Sequence, residues 1–170
     1  MSRIRRVVIV GGGTAGWMAA SGLAKSLGQT LDITLIESDD IGTVGVGEAV
    51  IPPIKSFHAL LELKENAFLH AVNGTIKLGI EFENWGRLGE SYFHPFGATG
   101  VEAWAAQFHH YWLRARRQGE TQVLRNFSLE ASMAEAGKFT LDSEPQAQYA
   151  YHFDAGLYAK LLRKLSEAHG

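Results

Sequence analysis

A run of mostly β-branched residues, Val7-Val8-Ile9-Val10, leads directly into Gly11-Gly12-Gly13-Thr14-Ala15-Gly16-Trp17. That junction constrains the fold more than any other stretch. The apolar run predicts a short strand buried on both faces of a parallel sheet. Gly11, Gly13 and Gly16 fall at G-x-G-x-x-G spacing. In such a loop the first glycine allows the tight turn, the second lets the backbone approach a pyrophosphate, and the third lets the next helix pack closely on the strand. The helix predicted from Ala15 to Leu27 directs its N-terminal N–H groups and positive dipole end at the phosphates. A second strand, Leu31 to Ile36, ends in Glu37, placed about 20 residues beyond the last glycine, where an acid binds a ribose hydroxyl. A glycine-rich loop alone also turns corners. Strand, loop, helix, second strand and acid together point to an adenine dinucleotide, with Gly11, Gly13, Thr14, Ala15, Gly16 and Glu37 as candidate contacts.

The chain has 170 residues, 46% of them hydrophobic and 20% charged, the balance of an ordinary globular domain with a proper core. A formal net charge of −2 argues against a general nucleic-acid surface. There is no cysteine, which removes disulfides and a thiol nucleophile and is compatible with a reducing cytoplasm. No apolar run is long enough to span a membrane, and Met1 to Arg6 leads into a strand without a signal-peptide pattern. The expectation is a cytoplasmic protein with no membrane partner.

The segment from Ser38 to Pro53 carries Gly42, Gly45 and Gly47 and ends in Pro52-Pro53, which excludes a regular element across it. Val44, Val46 and Ile51 exclude a solvated linker as well, so this loop is expected to lie against the cofactor or, alternatively, to form a plain hairpin. Pro53 opens a helix with Ile54, Phe57, Leu60 and Leu61 on one face. A second helical piece, Glu65 to Val72, is closed by Asn73-Gly74. Thr75 to Trp85 reads as one strand, with Ile76, Leu78, Ile80 and Phe82 on one face and Lys77, Gly79, Glu81 and Glu83 on the other. The missing side chain of Gly79 is expected to leave space beside the Lys77 ammonium. On pattern alone, however, Lys77 reads as a solvated, cross-paired strand lysine.

Ser91 to Gly97 is an aromatic cluster broken by Pro95 and Gly97, expected to be irregular and to tuck its rings into the core or against a flat ligand. Val101 to Arg117 predicts one helix with Trp104, Phe108, Tyr111, Trp112 and Ala115 on one side. The adjacent His109 and His110 diverge by about 100° on such a helix, which does not suit one metal ion. Ser128 caps a short helix stopped by Gly137. Phe139 to Leu141 and Gln148 to Phe153 are strand-like. Asp154 caps a last helix whose buried stripe is Leu157, Tyr158, Leu161, Leu162 and Leu165. The pattern stops where a further strand is due, which reads as a cut.

Six stretches in chain order carry a resemblance to the amino-terminal portion of the flavin-dependent tryptophan halogenase family. They are Gly11 to Trp17; Gly45-Val46-Gly47-Glu48-Ala49 with Ile51-Pro52; Lys77-Leu78-Gly79-Ile80-Glu81-Phe82 with Trp85; His94-Pro95-Phe96-Gly97; His110-Tyr111-Trp112-Leu113; and Tyr151-His152-Phe153-Asp154-Ala155. The Lys77 stretch together with Gly45 to Ala49 is the specific part.

The resemblance implies an α/β fold, a Rossmann-like FAD-binding βαβ domain of the flavin monooxygenase type, truncated. Residues 1–50 would form the dinucleotide unit and flavin strap, residues 51–148 would line the flavin and substrate sites, and residues 149–170 would return to the FAD domain. It further implies that the glycine loop and Glu37 hold the adenosine end of FAD, and that Val46, Gly47, Glu48 and Ala49 belong to the strap over the flavin. FAD is used as FADH2 from a separate flavin reductase, and with oxygen it converts chloride or bromide to hypohalous acid. Lys77 corresponds to the essential lysine, as haloamine or as hydrogen-bond donor, and this reverses its reading from pattern alone. His94 and Phe96 match the positions that sandwich an indole, and Ile80 lines the pocket near the lysine. The expected substrate is an aromatic small molecule such as tryptophan or an indole; a homodimer is left open. The family's second catalytic residue, halide site and substrate lid belong to a portion with no counterpart in this sequence, so the segment alone is expected to be inactive. Two other readings stay open, a flavin monooxygenase of related fold and a simple FAD-binding fragment.

Overall fold

The computed structural model describes residues 4–38, 40–41 and 48–169. In chain order the elements are β1 (Arg6–Val10), α1 (Thr14–Leu27), β2 (Asp32–Ile36), β3 (Glu48–Ala49), α2 (Ile54–Leu60), α3 (Glu65–Ala71) and β4 (Thr75–Lys77). They continue as β5 (Gly79–Glu83), β6 (Ser91–Pro95), α4 (Phe108–Arg117), α5 (Leu129–Ala136), β7 (Ala150–Phe153) and α6 (Ala155–His169). The chain divides into two compact units, Met1–Thr75 with Tyr151–Gly170, and Ile76–Ala150.

In the first unit β1 and β2 run parallel, with Val7 opposite Ile33 and Ile9 opposite Leu35. These four residues are half-buried on the face that α1 covers. The alternate residues stay exposed, Val10 at 81%. The expected burial on both faces is therefore not met, because among the described residues the two-stranded sheet is covered on one side only. α1 buries Trp17, Ala20, Ser21 and Ala24, and α6 offers Ala155 and Ala159. Small residues on both helices let their axes approach closely. Asp154 caps α6 by accepting the Leu157 N–H at 2.8 Å, while its own N–H reaches the Val72 carbonyl at 3.0 Å. The core beneath is aromatic: Phe68 meets Tyr151, Phe153 and Tyr158 edge-on at 5.1, 5.6 and 5.7 Å.

Two helix faces differ from expectation. On α2 the buried positions are Ile54 and His58, with Leu61 just beyond, while Leu60 is exposed. His58 can be buried because its imidazole finds the Tyr158 hydroxyl at 2.9 Å, which removes the cost of an unpaired polar group. On α6 the fully buried residues are Tyr158 and Leu162, with Leu157, Leu161 and Leu165 only half-buried.

In the second unit β5 and β6 form an antiparallel hairpin with Gly79 opposite Pro95 and Glu83 opposite Ser91. The strand expected from Thr75 to Trp85 is broken at Leu78, because β4 and β5 belong to different sheets, and it ends at Glu83, before Asn84 turns at φ 58°. Ser91 to Pro95 is regular rather than irregular. Proline is tolerated at the end of a two-stranded pair, where its missing N–H breaks no interior ladder. Helix α4 starts only at Phe108. A helix running from Val101 would carry Phe108 about 12 Å from Gly100, yet the Phe108 ring packs against Gly100, where a Cβ would lie 2.2 Å from it. The chain instead folds back through an Ala103–Ala106 bridge and leaves Trp104 100% exposed. The Ser128 hydroxyl caps α5 by accepting the Ala131 N–H, and Gly137 ends it at φ 61°. Residues 139–141 are not in a strand; Phe139 packs edge-on against Tyr149 at 4.9 Å.

Candidate functional site

The first unit opens a cleft of about 940 Å³ between the 11–15 loop, Glu37 at the end of β2, Glu48 of β3 and the α6 face bearing Lys160 and Arg163. The loop is tied to β2 by the Gly11 N–H donating to the Ile36 carbonyl at 2.8 Å. Each glycine then meets a different constraint. Gly11 turns at φ +119°, a conformation that L side chains rarely adopt. A Cβ at Gly16 would stand 1.9 Å from the Gly11 carbonyl oxygen, so α1 can start this close to the loop only with glycine there. A Cβ on Gly12 would stand 1.8 Å from a Glu37 carboxylate oxygen, whereas one on Gly13 would point into open space. Gly13 is also the N-cap of α1, with no side chain capping the helix and no acid in its first turn. The first N–H groups of α1 thus lack a side-chain cap at the floor of the cleft, and Glu37 sits at its edge. Orphan N–H donors, an open glycine and a strand-end acceptor acid are the groups that bind an adenine dinucleotide, and the residues present fit it.

Glu37 is held from two sides. Its Oε2 accepts the Trp17 indole N–H at 3.3 Å, and its Oε1 accepts from Arg163 at 2.5 Å. The Arg163 guanidinium lies 5.6 Å from the Trp17 ring centroid and also binds Glu167 at 2.8 Å.

The second unit carries Lys77 at the end of β4, with only 8% of its surface exposed. Its ammonium stands 5.3 Å from the Phe96 ring centroid, and the Phe96 N–H donates to the Leu78 carbonyl at 3.0 Å. Burial pushes the Lys77 amine below the usual lysine range. The space expected beside Gly79 is not free: a Cβ there would meet the Phe93 ring and the His94 carbonyl at 2.5 Å. Lys77 is directed to Phe96 instead. Ile80 and His94 are directly opposite across the hairpin, so their side chains share a face; His94 is exposed. Among the described residues no cluster of three or more metal-ligating side chains occurs, and no helix is long and apolar enough to cross a membrane.

The family model for tryptophan halogenases matches residues 6–170. The chain belongs to the tryptophan halogenase family. It is 51% identical in sequence to Xcc4156, a flavin-dependent halogenase from Xanthomonas campestris, with a TM-score of 0.92 over 99% of this chain and 34% of that one. BrvH, a flavin-dependent halogenase from Brevundimonas sp. BAL3, is 44% identical with a TM-score of 0.85 over 99% and 34%. Tryptophan 6-halogenase SttH of Streptomyces toxytricini is 36% identical over 97% of this chain and 36% of its own length. The chain therefore spans about a third of the length of the tryptophan halogenases it matches.

Of the cofactor residues expected from the sequence, Gly11, Gly13, Thr14, Ala15, Glu37 and Glu48 line the cleft. Gly16 does not; it sits one step inside, against the Gly11 carbonyl. Ala49 pairs with His152 on β7 and is exposed. Val46 and Gly47 lie outside the described residues. Lys77 and Phe96 come together, as do Ile80 and His94. Sequence reasoning gave no role to Gly12, Trp17, Lys160 or Arg163. Gly156, Ala159, Lys160 and Arg163 all line the cleft, and their i, i+3, i+4, i+7 spacing puts them on one face of α6; that spacing is a signal only once α6 is known to lie beside the glycine loop.

Proposed function

We propose that this chain is the FAD-binding, lysine-bearing part of a halogenase acting on an electron-rich aromatic ring such as tryptophan or an indole. The observation that carries the reading is Lys77, buried with its nitrogen against Phe96, in the stretch that resembles the family's lysine motif. The glycine loop, Glu37 and Glu48 would hold FAD, supplied reduced by a separate reductase. Bound reduced flavin supplies, with oxygen, the oxidising equivalents that turn chloride or bromide into hypohalous acid.

Lys77 acts on that acid. As a free amine its nitrogen attacks the halogen: an N–halogen bond forms, the O–halogen bond breaks, and the hydroxide leaves with the amine proton as water. The ring carbon then takes the halogen and loses its own proton. As an ammonium, Lys77 instead donates a hydrogen bond to the hypohalous oxygen and polarises the O–halogen bond. Burial favours the free amine, since it disfavours the charged form. Phe96 and His94 offer stacking surfaces for a flat substrate, with Ile80 beside His94.

The test is product mass with an indole substrate, reduced FAD, oxygen and halide, on the full-length protein that carries this chain and on its Lys77→Ala variant. A halogen isotope pattern that disappears in the variant, while flavin still binds and oxidises, supports the reading. A hydroxylated product, or halogenation indifferent to Lys77, overturns it in favour of a monooxygenase.

A further inference from the structure

We infer that Arg163 is a positioning residue of the dinucleotide site, acting through Glu37 to read the adenosine ribose. The inference rests on the cleft being the FAD site. A carboxylate at a strand end recognises a vicinal diol only if its lone pairs are aimed, and Glu37 is an otherwise flexible side chain just past the end of its strand. Three features of the structure aim it. Trp17 donates to one oxygen at 3.3 Å. Arg163 donates to the other at 2.5 Å. Gly12 leaves the room the carboxylate occupies, since a Cβ there would overlap it.

Each carboxylate oxygen accepts about two hydrogen bonds, so one donor on each leaves a lone pair on each oxygen for the ribose 2′- and 3′-hydroxyls. Arg163 is itself fixed, by Glu167 one turn along α6 at 2.8 Å and by the Trp17 ring at 5.6 Å. A planar guanidinium held on two sides sets direction in a way that a flexible ammonium does not. Arg163 also stands in the cleft wall one turn from Lys160, and its ion pair with Glu37 offsets the charge of the carboxylate where it meets the ligand. The strand-end acid is thus one part of a three-residue unit drawn from β2, α1 and α6.

The experiment uses the full-length protein, FAD binding followed by quenching of flavin fluorescence, and ADP and 2′-deoxy-ADP as competitors. In the unmodified protein ADP should outcompete 2′-deoxy-ADP by about tenfold, the weight of one hydrogen bond to a charged acceptor. Arg163→Gln and Glu37→Gln should each weaken FAD and collapse that preference to about twofold or less, with Arg163→Lys intermediate. The double variant should be no worse than Glu37→Gln alone, because Arg163 acts through Glu37. Far-ultraviolet circular dichroism checks that each variant folds. An Arg163→Gln protein that keeps the ribose preference, or losses that add in the double variant, overturns the inference while leaving the cleft reading intact. FAD binding without any ribose preference in the unmodified protein also overturns it. Failure of the unmodified protein to bind FAD overturns the cleft reading, and the inference with it.

Discussion

Each unit buries one basic side chain among the described residues, and the two are buried on different terms. His58 of the first unit is 5% exposed, stacked on Tyr151 at 5.9 Å and 16°, in contact with Phe68 at 4.3 Å and hydrogen-bonded to Tyr158. Burial lowers its pKa to about 4, so at neutral pH it is an uncharged ring in an aromatic core, and its burial costs little. Lys77 of the second unit is about as hidden, but its amine starts far above neutral pH, and burial pushes it below the usual lysine range. A buried histidine with a hydroxyl partner is a core residue. A buried lysine beside an aromatic ring, in the stretch that resembles the family's lysine motif, is the residue proposed for the chemistry.

The contrast can be broken at several points. The largest expected effect is on Lys77: its alanine variant should lose halogen transfer by about 10³-fold or more with FAD affinity unchanged, read as product mass against flavin quenching. If flavin binding falls equally, Lys77 belongs to the fold. Next is acid stability. His58 is lowered when folded, so the unfolded chain binds a proton that the folded chain refuses between pH 6.5 and about 4. Its contribution is full above pH 6.5 and is lost as pH falls through that window, about 3 kcal/mol in all. Urea midpoints at stepped pH measure it, and a His58→Phe variant should flatten that slope, at a cost of about 1–3 kcal/mol for the unpaired Tyr158 hydroxyl. Gly16→Ala forces a carbon against the Gly11 carbonyl; it should cost about 1–3 kcal/mol and weaken FAD binding together with the fold, which separates it from Glu37→Gln. The smallest effect is on a helix end of the second unit. Ser128→Ala removes the cap on α5 and should cost about 1 kcal/mol, with FAD affinity untouched.

How much was legible depended on the range of the interaction. The β1–loop–α1–β2 path, the strand-end Glu37, the Ser128 and Asp154 caps and the Gly137 stop were readable because each rests on neighbours within a turn or two. The misreadings were long-range. Ser91 to Pro95 looks irregular until it is paired with β5, and the periodicity of residues 101–107 suggests helix until Phe108 has to return to Gly100. The burial of His58 is not legible from its neighbours, because its partner Tyr158 is 100 residues away. The filling of the space beside Gly79 is not legible either, because the ring that occupies it, Phe93, comes from the opposite strand.

The sequence by itself determined the local framework of the glycine loop and the family. Glycine spacing, a capping hydroxyl and a strand-end acid act through the local backbone, and local backbone geometry is written in adjacent residues. Only the tertiary structure decided that Glu37 is hydrogen-bonded by Arg163, 126 residues later in the chain, and that Lys77 lies against Phe96 while the Phe93 ring fills the space beside Gly79. Both depend on which elements pack together, and that is settled by burial summed over the whole chain.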